Sequence, residues 1–127
     1  AVDTPDGLFV PVLRDIAGRD RADLRKGLNA LREAVNTRKI PPEEMRGATI
    51  TLSNFGTMAG RYANPVIVPP MVAILGAGKI RRQAVATDDG IEAHRVLPLS
   101  LSFDHRCVSG GEAARFLAAV MKDLGQP

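Results

Sequence analysis

Leu97-Pro98-Leu99-Ser100-Leu101-Ser102-Phe103-Asp104-His105-Arg106 is the stretch that decides how the chain is read. An aliphatic run delivers Asp, His and Arg at its end. Ser109-Gly110-Gly111-Glu112 then opens a helix to about Asp123, with Ala113, Phe116, Leu117, Val120 and Leu124 on its apolar face. Strand alternation puts Asp104 and Arg106 on one side and His105 on the other, in a different environment. An imidazole, with an ordinary pKa of about 6.5, is the natural base near neutral pH. Taken alone, the tripeptide also fits an ordinary strand-end histidine, with Asp104 and Arg106 pairing with each other or with a distant partner.

Upstream, Met71-Val72-Ala73-Ile74-Leu75 reads as a buried strand. Residues 79–86, the turn Asp88-Asp89-Gly90 and residues 91–102 read as a two-stranded antiparallel unit. Residues 57–70, rich in Gly, Asn and Pro, are expected to lack regular structure. Before them, residues 48–53 alternate as a short strand and run into the turn-forming Asn54-Phe55-Gly56. Residues 19–38 show helical spacing of Leu24, Leu28, Leu31 and Val35, with Asp20 as N-cap and a stop before Ile40-Pro41-Pro42. The turn Pro5-Asp6-Gly7 within residues 1–13 predicts a hairpin. Together these elements indicate an α/β fold: a two-layer sandwich, a mostly antiparallel mixed sheet covered by helices.

Composition narrows the function classes. The chain of 127 residues has the size of one domain, and with no Trp and a single Tyr its core must be aliphatic. The longest apolar run, residues 65–77, contains three prolines and is too short to cross a bilayer. No basic, apolar leader opens the chain, so a cytoplasmic protein with no membrane partner is expected. The net charge of +3 is spread: Arg14, Arg19, Arg21, Arg25 and Lys26 alternate with Asp15, Asp20 and Asp23. Base-stacking aromatics are missing too, so nucleic acid is not expected as a partner. The single Cys107 excludes an intrachain disulfide and a cysteine-based zinc site, and no metal is expected.

Several blocks resemble one family, the dihydrolipoamide acyltransferases of the 2-oxoacid dehydrogenase complexes. Residues 104–111, Asp-His-Arg-Cys-Val-Ser-Gly-Gly, look like the family's Asp-His-Arg-x-x-Asp-Gly signature, and residues 112–117 resemble the helix that follows it. Thr49-Ile50-Thr51-Leu52-Ser53-Asn54-Phe55-Gly56 is similar to its Ser-Asn-x-Gly strand. Residues 2–8, 65–70 and 73–76 match as well, in the right order from end to end.

The resemblance implies a chloramphenicol acetyltransferase-like fold, a homotrimer capable of larger core assembly, and an active site in a channel between subunits. Coenzyme A would enter as substrate from one side and a lipoyl group, presented by another domain, from the other. Decarboxylase and dihydrolipoamide dehydrogenase components would be the partners. His105 would take the proton from the attacking thiol, and Ser53 would donate a hydrogen bond to the oxyanion that develops. The resemblance covers the C-terminal part of one catalytic domain, so the N-terminal half, the lipoyl domain and the subunit-binding domain are expected to be absent from residues 1–127.

One position departs from the signature. Four residues after the histidine, where the family carries an acid, this chain has Ser109. The resemblance makes Ser109 a site residue; its own chemistry makes it a helix N-cap, with Glu112 completing a capping box. A neutral hydroxyl does not replace a carboxylate electrostatically. A weaker base, or a trimeric core scaffold with little activity, is therefore the alternative expectation, and the departure leans towards a branched-chain member. A free coenzyme A-dependent O- or N-acetyltransferase is a third, disfavoured by the Ser-Asn-Phe-Gly block. Cys107 is expected to be a small packing thiol rather than a nucleophile. His94 has no partner in the sequence. Lys79, Arg81 and Arg82 fit a solvated edge better than a phosphate site.

Overall fold

The computed structural model describes residues 1–125. The chain divides into two units, Ala1–Ala48 and Thr49–Pro127. In the first, β1 (Val2–Thr4) and β2 (Gly7–Phe9) form the expected antiparallel hairpin, with Val2 opposite Phe9. Helix α1 (Arg21–Asn36) packs against β1. It starts where expected, because the Asp20 carboxylate accepts the Asp23 N–H at 2.8 Å and so satisfies one of the helix's open donors. At its other end the Thr37 hydroxyl donates back to the Glu33 carbonyl at 2.8 Å. Of the stripe read from the sequence, Val35 is buried, Leu24 and Leu31 are half-buried, and Leu28 is exposed.

The second unit is built on a three-stranded sheet in the order β3 (Ile50–Asn54), β4 (Ala73–Ala77), β7 (Leu99–Phe103). β3 runs parallel to β4, and β7 runs antiparallel to it. A separate antiparallel ribbon joins β5 (Arg81–Thr87) to β6 (Gly90–Val96). Helix α2 (Gly110–Leu124) packs against β7. Three of these four pairings, counting the β1–β2 hairpin, are antiparallel, as the sequence suggested.

One expectation is corrected. Residues 91–102 are not a single strand: β6 ends at Val96 and β7 begins at Leu99, in a different sheet. Pro98 lies at the break and has no N–H to give to a ladder, while its carbonyl accepts the Gly78 N–H at 2.9 Å. The chain thus leaves the ribbon at the proline and re-pairs with β4, the central strand. Ala73 and Ile74 of β4, with Ala113 of α2, supply the buried hydrophobic residues of this unit among those described. No helix among the described residues is long and apolar enough to cross a membrane.

Residues 57–70 lack regular secondary structure beyond a short 3-10 turn over Phe55–Thr57, yet Gly60, Arg61 and Ala63 are tied to the segments beside them. A Cβ placed on Gly56 would lie 2.2 Å from the Gly78 carbonyl, and one on Gly78 would lie 2.2 Å from the Arg61 carbonyl oxygen. Three backbone segments therefore touch with no room for a side chain between them. The Lys79 N–H donates to the Gly60 carbonyl at 2.9 Å, and the Ala63 N–H donates to the Ser100 hydroxyl at 3.3 Å. Gly78→Ala is expected to lower unfolding stability by at least about 3 kcal/mol, the upper end for overpacking. Gly18→Ala, where an added Cβ meets nothing within 4 Å, should leave the urea midpoint nearly unchanged. Urea unfolding of both variants checks this.

Candidate active site

β7 ends at Phe103, and residues 104–107 turn instead of continuing the strand. The alternation expected for Asp104, His105 and Arg106 therefore does not apply. The Asp104 N–H donates to the Val72 carbonyl at 2.8 Å, and the N–H groups of Cys107 and Val108 both donate to the Asp104 carbonyl at 2.9 Å. The Asp104 carboxylate accepts the Arg106 backbone N–H at 3.0 Å, forming an Asx-type turn. It also takes the Arg106 guanidinium, Nε at 3.0 Å on one oxygen and a terminal nitrogen at 2.7 Å on the other. The Arg106 hydrogen bonds hold the Asp104 carboxyl down at about 2, and Asp104 in turn raises the guanidinium.

His105 sits between these partners and is exposed. Among the described residues its imidazole makes no hydrogen bond; it lies against Phe103, ring centroids 5.5 Å apart and tilted by 42°. Its Nε2 also faces the start of α2, 3.9 Å from where a Cβ on Gly110 would be.

Ser109 is the N-cap of α2, and the capping box expected from the sequence is present. The Ser109 hydroxyl accepts the Glu112 N–H at 3.3 Å, and Glu112 accepts from the Ser109 N–H at 2.8 Å and from its hydroxyl at 2.7 Å. Those bonds lower the Glu112 carboxyl below its ordinary range. Ser109 is thus committed to the helix end.

Ser53 lies on β3, half-buried, opposite Gly76 of β4, which in turn faces Ser100 of β7. Its hydroxyl makes no hydrogen bond among the described residues. The row containing Phe103 pairs instead with Ala73 and Ile50, three rows away. Ser53 is therefore about 10 Å along the sheet and about 10 Å across it from the strand end that carries His105. Within one chain the structure does not bring Ser53 and His105 together.

Other expectations divide. Cys107 is exposed in the turn rather than packed, because the strand stops before it. It lines an open cavity of about 290 Å³ with Ile50, Ala73, Phe103, Val108 and Phe116. His94 does have a partner: its Nε2 lies 2.8 Å from the Glu92 carboxylate. These two alternate along β6 on one face, a spacing the sequence already displayed. Lys79, Arg81 and Arg82 are exposed, and Arg82 is opposite Arg95 in the ribbon. Among the described residues no cluster of three or more His, Cys, Asp and Glu is placed to hold a metal ion. The ring contact of Phe103 with His105 was not anticipated, although a Phe two residues before the His was its signal.

Residues 1–127 match the family described as 2-oxoacid dehydrogenases acyltransferase (catalytic domain). The chain belongs to this acyltransferase family. It is 39% identical over its whole length to the dihydrolipoyllysine-residue acetyltransferase component of the pyruvate dehydrogenase complex of Bacillus subtilis, and covers 29% of that protein. Among solved structures it resembles Azotobacter vinelandii dihydrolipoamide acetyltransferase, studied for the roles of a serine, a histidine and an asparagine in its catalytic mechanism. That match has a TM-score of 0.87 at 39% identity, over 94% of this chain and 49% of that one. It also resembles the cubic core of the pyruvate dehydrogenase multienzyme complex, with a TM-score of 0.86 at 39% identity, over 92% of this chain and 48% of that one. This acyltransferase chain therefore spans about half of each solved relative. Its α/β architecture is the chloramphenicol acetyltransferase-like fold of the family.

Two outcomes follow from the turn and the cap. Because folding lowers the Asp104 pKa from 3.8 to about 2, its ion pair favours the folded state above the unfolded value. That contribution is lost as pH falls through about 2. Carboxyl carbon NMR should show Asp104 titrating at about 2, and Arg106→Gln should return it towards 3.8. Ser109→Ala removes the cap and is expected to cost about 1 kcal/mol, with Ser109→Asn close to the parent in thermal unfolding.

Proposed function

We propose that the protein transfers an acyl group between coenzyme A and a dihydrolipoyl group presented by another domain, within a 2-oxoacid dehydrogenase complex. The observation that carries the reading is a spacing. In the Azotobacter vinelandii acetyltransferase the histidine follows the serine by 52 residues and the asparagine follows the histidine by 4. Here Ser53, His105 and Ser109 stand at the same two intervals. The asparagine is neutral, as Ser109 is. That weakens both the expectation of a poor base and the lean towards a branched-chain member, and acetyl is the acyl group proposed.

In this mechanism His105 accepts the proton of the attacking thiol, since a thiolate is the competent nucleophile and a free thiol is mostly protonated near neutral pH. The sulfur attacks the thioester carbonyl carbon, and the carbonyl electron pair moves onto oxygen. The Ser53 hydroxyl donates a hydrogen bond to that oxyanion. Collapse re-forms the carbonyl and breaks the old carbon–sulfur bond, and the imidazolium returns its proton to the departing thiolate. Among the described residues neither side chain is engaged by another hydrogen bond, so both are available to a bound substrate. Because one chain holds them at separate positions on the sheet, the site is proposed to join His105 of one copy to Ser53 of another, in a homotrimer. The cubic core among the relatives supports assembly beyond the trimer. Decarboxylase and dihydrolipoamide dehydrogenase components are the proposed partners. Residues 1–127 are proposed to be the C-terminal part of a single catalytic domain, and the activity is a property of the whole protein.

Acyl transfer from acetyl-, succinyl- and branched acyl-CoA to dihydrolipoamide tests this in the full-length protein. The rate is expected to be highest with acetyl-CoA. His105→Ala should lower kcat by roughly 100- to 10,000-fold and Ser53→Ala by roughly 100- to 1,000-fold. Trimers reassembled from a mixture of the two inactive variants should regain part of the rate, because some sites then combine an intact His105 with an intact Ser53. An assembled parent without transfer would leave a core scaffold as the function.

A further inference from the structure

Among the described residues no side chain hydrogen-bonds the His105 imidazole, whose ring contact is with Phe103. A general base is usually oriented by a third group that bonds its second nitrogen, and among the described residues none does so here. The ring stands on a tight turn, closed by main-chain bonds to the Asp104 carbonyl and by one side-chain pair, Asp104 with Arg106. Asp104 accepts three donors of Arg106, its backbone N–H, Nε and a terminal nitrogen, while its own carbonyl accepts from Cys107 and Val108. His105 is the one residue enclosed between the two. The ion pair adds little to stability, because the Arg106 side chain is 84% exposed and exposed ion pairs contribute little to folding. The pair also neutralises the two charges adjacent to the imidazole, which among the described residues has no ionic partner.

We infer that Asp104 and Arg106 form a positioning clamp that sets the attitude of the His105 imidazole for proton transfer, an inference that rests on the acyl-transfer function proposed above. The two residues act as one unit on the turnover step and do not bind substrate. Misplacing a reacting group by about 1 Å can cost on the order of 100-fold in rate. Loss of either member is therefore expected to appear in kcat.

The test uses the full-length protein, acetyl-CoA and dihydrolipoamide, with Asp104→Asn, Arg106→Gln, Arg106→Lys and the double variant Asp104→Asn/Arg106→Gln. Asp104→Asn keeps an oxygen for the Arg106 N–H and gives up the ion pair. Arg106→Lys keeps the charge and loses the fork. Each is expected to lower kcat roughly 10- to 100-fold. KM for acetyl-CoA should stay within about twofold of the parent, and the double variant should be no worse than the poorer single one. Circular dichroism and assembly state should match the parent. A kcat within about twofold of the parent, or losses that multiply in the double variant, would overturn the clamp. So would a raised KM at unchanged kcat, which would make Arg106 a substrate-binding residue. Crystal structures of the parent and the double variant decide the matter independently of activity. A ring displaced by about 1 Å or more supports the clamp, and an unmoved ring removes it. A parent that transfers nothing, or a His105→Ala variant that keeps the parent rate, counts against the proposed function, while the ring position still judges the clamp.

Discussion

Strand β4 is hydrogen-bonded on both edges, in parallel to β3 and antiparallel to β7, and the placement of every candidate site residue follows from those two ladders. The parallel ladder sets Ser53 against Gly76. The antiparallel ladder ends at Phe103 opposite Ala73 and so releases the chain into the turn that carries His105. Because the two neighbours run in opposite directions, the far end of one lies beside the near end of the other. The separation of hydroxyl and imidazole within one chain is thus a consequence of strand direction, and no side-chain rotation removes it.

Around His105 the polar groups are already committed. Asp104 is occupied by Arg106, Glu112 by Ser109, and Ser109 by the first turn of α2. Among the described residues the imidazole, like the Cys107 thiol, makes no hydrogen bond on this turn. Such a division leaves the imidazole accessible while its surroundings are fixed by short local bonds, two and three residues in span. It also explains how a serine can stand where a carboxylate was expected: at that position the helix needs a cap, and a hydroxyl supplies it.

Local chemistry was legible in the sequence wherever it is set by neighbours along the chain. Asp20 as the N-cap of α1, the Ser109–Glu112 capping box and the Pro5-Asp6-Gly7 hairpin all depend on residues two to four positions apart, and all are present. The candidate site residues were legible through the resemblance of two blocks, residues 49–56 and 104–111, and not through any local pattern. The misjudged features depend on distant partners or on a side chain overriding a backbone rhythm. β7 was merged with β6 because its true partner, β4, is more than twenty residues away in sequence. The alternation at residues 104–106 failed because the Asp104 carboxylate captures a backbone N–H two residues on. Cys107, expected as a small packing thiol, is exposed because the chain has already turned away from the sheet.

The contact of Gly56, Gly78 and Arg61 has a mechanical consequence. Side chains in a packed interface behave as compliant spacers, since a rotamer change can absorb a small displacement. Where backbone touches backbone that compliance is missing, and motion of one segment passes undamped to the next. The segment from Ala59 to Arg61 is in this sense part of the sheet's rigid frame, despite having no regular structure. Gly56 lies three residues from Ser53, so an irregular stretch of chain adds to the support that the β3–β4 ladder gives that residue.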